Sequence, residues 1–526
     1  MQRIKGIPFS ETKAFSKTFL DYITQQDSLK EFYQYSPTIE SFGEILKKKQ
    51  FSDAQRKNLQ TALKEQYKDL KISENTQKNI ELLQDTKTFT VTTAHQPLIF
   101  FGELYFVYKI LTVIKLAANL KETFPEYNFV PVYWMGSEDH DFAEISHFRL
   151  FGKKYQWETT QKGAVGRMNL EGIEAIFQEL PEKVHLFETA YTQNTSLAKA
   201  TQWTVNEMFG DKGVVVIDGD SPILKKNLIP VIQNELITQK SGDIVREASE
   251  KLENMGYKAQ VNPRNINLFY LDENTRERIE LIDNQYHVVN TDLYFSEKDI
   301  LQMAEETPEM FSPNAVLRPV YQELCIPNLA YIGGPGEIAY WLQLKNVFEY
   351  LSIQKVDNLQ YPILFPRTFA LMLQGNQQQK IEKLGLKIED LFLDEITLKK
   401  YFVEKNTTNN FRLNQEIEEF QEIFKKIQQK ALQIDKSLEG AIAAEEQKTV
   451  KSLENLEKRL QKAEERNQET QITQVLGIKE KLFPNGALQE RTDNFLNFYL
   501  NNPQWLDNVH DLIDPWDFNF QIIGLF

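Results

Sequence analysis

The chain has 526 residues, of which 41% are hydrophobic, and a formal net charge of −15. This length predicts two or three domains, and the apolar fraction is enough to build a sizeable interior. Because binding to a nucleic-acid backbone depends on clustered positive charge, the acidic balance argues against a nucleic-acid partner. The single cysteine, Cys325, excludes an internal disulfide framework and indicates a reducing compartment, so we expect a cytoplasmic protein.

Residues 1–87 are predicted to form a helical region that packs on the core. Ser52 is a predicted N-cap, because its hydroxyl can accept a hydrogen bond from a free N–H of the first helical turn. The predicted helices lie around 16–24, 39–46, 53–71 and 75–83.

Residues 88–147 carry a strand–helix–strand pattern around which we expect the core to be organised. Runs rich in Val, Thr, Tyr and Phe surround a segment whose apolar residues recur at helical spacing from Leu104 to Ala118. Such a unit places two parallel strands side by side. The apolar segment also carries Glu103, Lys109 and Lys115, so we expect a buried helix and no membrane partner.

The remaining core elements follow after a helical stretch. The run 214–220 resembles a third buried parallel strand, and 222–255 is predicted to be helical. Short apolar runs near 258–290, beginning with Gln260-Val261, are separated by Asn, Asp and Pro, which predicts an antiparallel insertion. Residues 328–332 and 361–368 then complete the sheet. The predicted fold class is therefore α/β, with a Rossmann-like parallel-sheet core over 88–375.

Beyond residue 376 the sequence predicts a C-terminal α-helical coiled coil over 376–475. Apolar residues recur every three or four positions from Ile417 to Leu438 and again from Leu453 to Ala463. Gly440 indicates a turn between two antiparallel helices, although one unbroken helix or an ordinary helical bundle would show similar spacing. Residues 476–526 are predicted to return to the core.

Polar clusters at the strand ends are the candidate catalytic residues. Ligands of open parallel sheets bind beyond the carboxyl ends of the strands. The residues predicted there are His95, Glu138, Asp139, His140 and Asp141. Acid–base chemistry or binding of a polar substrate is the favoured interpretation. The acids could instead cap a helix, and His140 with Glu144 would suit a metal, although we expect none.

Further candidates lie at other predicted strand ends. The run Gly333-Gly334-Pro335-Gly336-Glu337 joins a strand to a helix, and its backbone amides could hold a carboxylate or phosphate, or simply form a tight turn. Arg318 and Arg367 are suited to binding a carboxylate or to pairing with one of the many acids. The chain has no Walker A motif, no G-x-G-x-x-G and no H-E-x-x-H.

Several blocks of the sequence carry a specific resemblance. They are Thr93-Ala-His-Gln96-Pro, Gly102-x-Leu-Tyr105-x-x-Tyr108-Lys109, Pro131-Val-Tyr-Trp134-x-x-Ser137-Glu138-Asp139-His140-Asp141, Gly333-Gly-Pro-Gly336-Glu337-Ile-Ala-Tyr340-Trp341 and Leu482-Phe-Pro-x-Gly486-x-Leu-Gln489-Glu490-Arg491. In this order they resemble the bacillithiol-biosynthesis cysteine-adding enzymes, a family of cysteine ligases. The resemblance runs over nearly the whole chain.

This resemblance implies a reaction, an assembly and a set of binding residues. The reaction joins cysteine to glucosaminyl-malate in the last step to bacillithiol. The assembly is a homodimer built by the coiled coil. The implied core is similar to nucleotidyltransferases and class I aminoacyl-tRNA synthetases, with inserted connecting segments, which suggests an adenine nucleotide (ATP or ADP) as a ligand. The implied substrate-binding residues are Gln96, Tyr105, Lys109, Ser137, Arg318, Gly333, Gly334, Gly336, Glu337, Tyr340 and Trp341.

Two other functions remain open on the sequence alone. One is a nucleotidyl-transfer enzyme that activates a different small carboxylic acid. The other is a non-catalytic coiled-coil scaffold whose Rossmann-like domain only binds a ligand.

Overall fold

The computed structural model describes residues 1–354, 359–407 and 409–525. They form two compact units, the first comprising Met1–Met372 and Leu488–Gly524 and the second comprising Leu373–Ala487 with Leu525. The domain boundaries drawn from the sequence, at 87, 375 and 475, stay a prediction.

A five-stranded parallel sheet is the centre of the first unit. Its strands are β1 (Thr88–His95), β2 (Asn128–Met135), β3 (Val215–Asp218), β4 (Asn328–Gly333) and β5 (Ile363–Pro366). They lie in the order β5-β4-β1-β2-β3. β1, β4 and β5 are buried almost throughout, which explains their continuous apolar and threonine-rich sequences. The predicted parallel-sheet core is confirmed.

The strand order creates a switch point between β1 and β4. Chain order proceeds from β1 through β2 to β3 on one side, and then returns to β4 on the other side of β1. Thr93 of β1 is in register with Ile332 of β4, so these strands end at the same level. Crevices at such points are where doubly wound sheets bind ligands.

Helices surround this sheet. The predicted helix of the strand–helix–strand unit is confirmed as Tyr105–Thr123. Ser52 caps Asp53–Tyr67 as predicted, and Gln55 returns a hydrogen bond to the Ser52 N–H. The other α-helices of this unit are Phe9–Thr12, Lys17–Ile23, Ile39–Lys48, Glu74–Leu82, Phe142–Ile145, Glu174–Glu179, His185–Gln193, Leu197–Phe209, Pro222–Lys225, Ile229–Thr238, Lys240–Asn254, Glu297–Glu306, Arg318–Cys325, Pro335–Trp341, Lys345–Ile353, Leu496–Tyr499 and Trp505–Leu512.

Further strands form smaller sheets. Gln2–Pro8 pairs antiparallel with Asn519–Leu525, which in turn lies beside Ala370–Gln374. The N-terminal region is therefore not wholly helical, and the strand at 2–8 was not predicted because its partner is more than 500 residues away. His147–Leu150 and Lys153–Gln156 form a short hairpin.

The predicted antiparallel insertion is confirmed as a five-stranded sheet. Its strands are Leu268–Leu271, Arg276–Ile282, Gln285–Val288, Tyr294–Phe295 and Phe311–Pro313. The strand predicted at Gln260-Val261 is wrong. The N–H groups of Gln260 and Val261 donate instead to the Gln343 side chain, at 2.8 and 3.0 Å, so no neighbouring strand satisfies them.

The second unit is helical. Its long helices, Asn414–Ile434 and Glu439–Asn467, are antiparallel, since Arg412 at one end contacts Glu457 and the chain turns between them. The turn lies at Asp435, whose side chain accepts a hydrogen bond from the Ser437 N–H, and Gly440 is already helical. The remaining helices are Gln377–Lys383, Glu395–Asn406 and Glu469–Leu482. Within the described residues, none of the helices has the length and apolar character needed to cross a bilayer.

Candidate active site

A cavity of about 800 Å³ opens at the switch point of the parallel sheet. It is lined by residues that follow β1, β2 and β4, together with residues of the antiparallel insertion. The sequence-predicted residues among its lining are His95, Gln96, Tyr105, Glu138, Asp139, His140, Arg318, Gly334, Gly336, Glu337, Tyr340 and Arg367, together with Glu144 of the metal alternative.

Glu337 is the best-anchored acid of the cavity. Its carboxylate lies 2.7 Å from the Lys109 ammonium and accepts hydrogen bonds from the Tyr331 hydroxyl at 2.5 Å and the Gly334 N–H at 2.9 Å. Burial alone would raise its pKa, but the Lys109 charge and these donors lower the pKa of Glu337 to about 2. Glu337 is therefore anionic at neutral pH. Lys109 is not part of the cavity lining, and it influences the cavity through its ion pair with Glu337.

Lys109 also connects the two strand ends. Its buried ammonium donates at 2.8 Å to the carbonyl of Ala94, in β1, as well as to Glu337 beyond β4. Lys109 therefore links the ends of β1 and β4 on the two sides of the switch point.

The glycine turn after β4 makes a hydrogen bond to the helix that follows it. The Gly334 N–H donates to Glu337, Pro335 has no N–H, and the helix Pro335–Trp341 that follows is only seven residues long. A Cβ at Gly336 would meet nothing within 4 Å. One of the backbone amides predicted to cradle an anion, that of Gly334, is thus already satisfied by a carboxylate.

His95 and Tyr105 form a hydrogen-bonded pair at the end of β1. The Nδ1 of His95 lies 3.3 Å from the Gln96 carbonyl oxygen, and Nε2 lies 3.0 Å from the Tyr105 hydroxyl. Since a carbonyl can only accept, the proton is on Nδ1, and the Tyr105 hydroxyl donates to Nε2. Burial and the Lys109 charge lower the pKa of His95 to about 3, so this imidazole is neutral.

Asp139 and His140 follow β2 and face the cavity. Gln96 donates from its amide to Asp139 at 2.9 Å and to Glu144 at 2.6 Å, so it bridges two acids. Burial raises the pKa of Asp139, but the Arg276 charge and the Gln96 hydrogen bond outweigh it and lower the pKa overall. Burial and the Arg276 charge lower the pKa of His140. An anion thus stands beside a neutral imidazole.

The loop that carries Asp139 is hydrogen-bonded to the backbone of Val165 and Gly166. The Gly166 N–H donates to the Ser137 carbonyl at 2.8 Å, and the Val165 N–H donates to the Asp139 carbonyl at 2.6 Å. A Cβ at Gly166 would lie 2.8 Å from the Ser137 carbonyl oxygen, closer than real Cβ contacts come. Glycine at this position therefore permits the loop to be clamped.

Glu138 and Ser137 are turned towards buried partners. Glu138 pairs with the fully buried Lys225, which also donates to the Phe311 carbonyl, and burial raises the pKa of Glu138 despite that cation. The Ser137 hydroxyl donates to Asp218 at the end of β3. Glu138 borders the cavity, while Ser137 supports it.

Four other predicted residues lie outside the cavity lining. Asp141 caps the short helix Phe142–Ile145, so the capping interpretation holds for this acid. Gly333 ends β4, and Trp341 is fully buried against Tyr331. Lys109, described above, is the fourth.

The metal interpretation of this cluster lacks its geometric basis. His140 precedes the helix that carries Glu144, so the two residues do not share a helical face. Among the residues that the structure describes, no group of three or more His, Cys, Asp and Glu side chains is arranged to hold a metal ion.

Arginines supply the positive charge of the cavity. Arg318 begins a helix, and not a strand end as predicted; it donates to Gln322 at 3.1 Å and to the Tyr340 hydroxyl at 3.3 Å. Arg367 follows β5 as predicted, but its guanidinium is paired at 2.6 Å with the buried Glu490. Within the described part of the chain, Arg264, Arg318 and Arg491 line the cavity without a carboxylate in ion-pair contact.

Sequence reasoning missed Arg264, Arg276, Arg491 and Asn314 of the lining. Arg276 begins a strand of the antiparallel insertion and lies 136 residues from His140. No local spacing connects the two residues, so only the folded insertion reveals the contact. Arg491 could have been found, because it closes a block that the family resemblance had already singled out.

Comparisons with known proteins place the chain in a family. Residues 2–368 match the model described as bacillithiol biosynthesis BshC, N-terminal Rossmann-like domain, and residues 370–525 match the corresponding C-terminal coiled-coil domain. A protein named "Putative cysteine ligase BshC" from Flavobacterium psychrophilum is 41% identical and covers 98% of both chains. One of the same name from Cytophaga hutchinsonii is also 41% identical, over 99% of this chain and 98% of its own.

Among solved structures, an arginyl-tRNA synthetase homologue from Campylobacter jejuni matches with 11% identity over 84% of this chain and 99% of its own. Its TM-score of 0.21 is too low to support any argument about fold. The family models and the full-length relatives do support one, and they agree with the confirmed sheet and the helical second unit. This chain belongs to the bacillithiol biosynthesis BshC family.

Proposed function

We propose that the protein is a ligase that joins the carboxylate of cysteine to the amine of glucosaminyl-malate through an amide bond, the last step of bacillithiol biosynthesis. Its relatives are named as cysteine ligases, and the family model is named for bacillithiol biosynthesis. The observation that carries the proposal is the set of charges in the cavity, whose lining includes both guanidinium groups without an ion-paired carboxylate and fixed carboxylates.

The substrates require such a layout. The malyl group carries two carboxylates, cysteine carries a carboxylate, and both substrates carry an amine that is charged in water. Arg318, Arg264 and Arg491 fit the carboxylates, because guanidinium groups bind them with two parallel hydrogen bonds. Asp139 and Glu337 stay anionic at neutral pH and fit the amines. A cavity of about 800 Å³ is within the usual range for small-molecule sites.

Amide formation also needs an activated carboxylate, since a free carboxylate is a poor electrophile. The Gly334 N–H of the glycine turn is not available to the phosphates of the predicted adenine nucleotide, because it donates to Glu337. The exposed guanidinium groups of Arg264 and Arg491 would fit a phosphate in place of a substrate carboxylate, which leaves Arg318 for the carboxylates. An activating nucleotide would supply a leaving group, and the cavity residues would orient the two substrates and exclude water.

The proposal is tested by incubating the purified protein with glucosaminyl-malate and cysteine, with ATP, with ADP or with no nucleotide. Mass spectrometry should detect the condensed product, whose mass is the sum of both substrates less one water. We expect His140→Ala and Asp139→Ala to lower turnover on the order of 10²–10⁴-fold, the usual range for a positioned acid or base. His185→Ala is the matched control, since His185 is on the surface beside Glu188, outside the cavity lining.

The outcomes separate the proposal from its rivals. Absence of product under every nucleotide condition rejects the ligase function. Exchange of pyrophosphate into ATP driven by another small acid would favour a nucleotidyl-transfer enzyme. Binding of glucosaminyl-malate without any turnover would favour a scaffold. Product formation that survives both cavity substitutions would place the reaction elsewhere.

We also propose that the protein is a homodimer held by the helical hairpin. Ile423, Ile427 and Leu456 are 48%, 44% and 45% exposed, and they lie on the faces that carry the apolar repeat. Such a stripe is costly in water and would be covered by the same surface of a second copy.

A further inference from the structure

We propose that Arg276 is a positioning residue that holds the His140 imidazole in the tautomer with its proton on Nε2, so that His140 offers a hydrogen-bond donor to the substrate. Only the role of the Nε2–H in the reaction rests on the proposed function. The tautomer itself is a property of the folded protein and can be measured without turnover.

The tautomer follows from the direction of one hydrogen bond. Nη1 of Arg276 lies 2.6 Å from Nδ1 of His140. A guanidinium group carries donors and no acceptor, so Nδ1 must be the acceptor. A neutral imidazole whose Nδ1 accepts carries its proton on Nε2.

Arg276 is rigid enough to impose this choice. Its Nε donates to the Ser312 hydroxyl at 3.0 Å, and its Nη2 donates to the Pro313 carbonyl at 3.2 Å. The guanidinium lies 4.0 Å above the Phe269 ring, and the side chain is only 7% exposed. With Nε and Nη2 engaged elsewhere, the guanidinium presents Nη1 to His140, and the same Nη1 lies 3.7 Å from the Asp139 carboxylate.

The charges around His140 act against each other. Asp139 lies 3.6 Å from Nδ1, and Glu277 and Asp141 add further negative charge, all of which favours the imidazolium. Burial and the Arg276 charge disfavour it and prevail, which lowers the pKa of His140. His140 is therefore neutral at neutral pH, and its tautomer is a defined state.

A neutral Nε2–H is suited to one half of the proposed reaction. When an amine adds to an activated carboxyl group, negative charge develops on the carboxyl oxygen, and a fixed donor stabilises it. In this role His140 is not the base that receives the proton of the amine. Its one basic nitrogen, Nδ1, already accepts a hydrogen bond from Arg276. The nearby Asp139 carboxylate, anionic at neutral pH, is the hydrogen-bond acceptor of the pair.

The test is ¹⁵N NMR of protein labelled at its six histidines, recorded through long-range couplings to the ring protons. His140→Gln and His95→Gln assign the two site signals. We expect His140 to show a protonated Nε2 and an accepting Nδ1, while His95, whose Nδ1 faces the Gln96 carbonyl, shows the opposite tautomer. A His140 signal with a protonated Nδ1, or a charged ring at pH 7.5, would overturn the proposal.

Arg276→Met and Arg276→Lys extend the test. Arg276→Met removes the donor, so the His140 tautomers should mix, the His140 titration midpoint should rise, and kcat should fall on the order of 10²-fold. Arg276→Lys retains a charged donor and should recover part of each effect. If kcat falls while the His140 spectrum and midpoint stay unchanged, Arg276 has only a structural role, and the proposal fails. Should the unmodified protein form no product, the proposed function fails, but the spectrum still decides the tautomer.

Discussion

At the scale of single residues, partners decide how a buried carboxylate titrates. Asp218 ends β3, Glu337 lies in the helix that follows β4, and both lose solvent on folding. Glu337 faces the Lys109 ammonium, and its pKa falls to about 2. For Asp218, burial and then the neighbouring Asp220 charge raise the pKa to about 6. Folding therefore favours the ionised form of Glu337 and the protonated form of Asp218.

This difference predicts how Asp218→Asn changes stability with pH. The folded-state pKa of Asp218 is raised from 3.8 to about 6, so its stabilising contribution is full below pH 3.8 and is lost as pH rises through 6. Asn cannot ionise, so the variant does not lose this contribution to the free energy of unfolding as pH rises. The contribution is at most about 3 kcal/mol, at 1.36 kcal/mol per pKa unit. Scanning calorimetry should show the Tm of the variant rising relative to wild type between pH 4.5 and 7.5. A Tm difference that is constant with pH would contradict the assignment.

At the scale of elements, the short turn Gln489–Arg491 takes the place of a neighbouring strand beside Ala370–Gln374. The side chain of Gln489 accepts a hydrogen bond from the Met372 N–H at 2.8 Å and donates to the Met372 carbonyl at 3.2 Å, as a neighbouring strand would. The next residue, Glu490, pairs with Arg367 and accepts from the Ala370 N–H at 3.3 Å. The block Gln489-Glu490-Arg491 thus completes a sheet edge and delivers an arginine to the cavity.

Glu490→Ala should destabilise the first unit by about 3–5 kcal/mol, because it leaves the buried Arg367 cation unpaired. Glu490→Gln retains an acceptor and should cost less. The double variant Arg367→Met, Glu490→Ala removes both charges and should recover stability relative to Glu490→Ala alone, as judged by Tm. A double variant that is less stable than either single variant would show that the charges do not depend on each other.

At the scale of the whole molecule, the hairpin predicts the oligomeric state. Replacing Leu453, Leu456 and Leu460 with Ser removes three apolar side chains, each worth roughly 1.5–3 kcal/mol when fully buried. We expect light scattering to report a dimer for the unmodified protein and a monomer for this variant. Ser at Glu454, Asn455 and Lys458, exposed polar positions of the same helix, is the control and should remain dimeric. A monomeric unmodified protein at micromolar concentration would reject the dimer.

The sequence predicted those features that depend on local pattern. The buried strands, the helix Tyr105–Thr123, the Ser52 cap and the helical hairpin follow from residue periodicity and capping chemistry. Long-range partners could not be predicted. Arg276 beside His140, Glu490 beside Arg367 and Gln343 beside Gln260 all join segments whose approach is set by the fold.

The same limit applies to chemical roles within a motif. Asp139, His140 and Asp141 are consecutive in sequence, yet His140 contacts Arg276 and Asp141 caps a helix. The glycine turn shows a related effect, since its sequence suits an anion but its Gly334 N–H is taken up by Glu337 of the same turn. Composition identifies the region of a site, and the direction of each hydrogen bond then assigns the roles.

The pairing of Gln2–Pro8 with Asn519–Leu525 has a consequence for synthesis on the ribosome. Pro8 and Asn519 are partners separated by 511 residues, so the strand Gln2–Pro8 is synthesised long before its partner. At about 5–20 residues per second, that strand remains without its partner for roughly 25–100 s. During this interval its backbone N–H and C=O groups are open to other chains, a state in which strand edges recruit neighbours. Until Asn519–Leu525 is made, Gln2–Pro8 is therefore an exposed site for aggregation of the nascent chain.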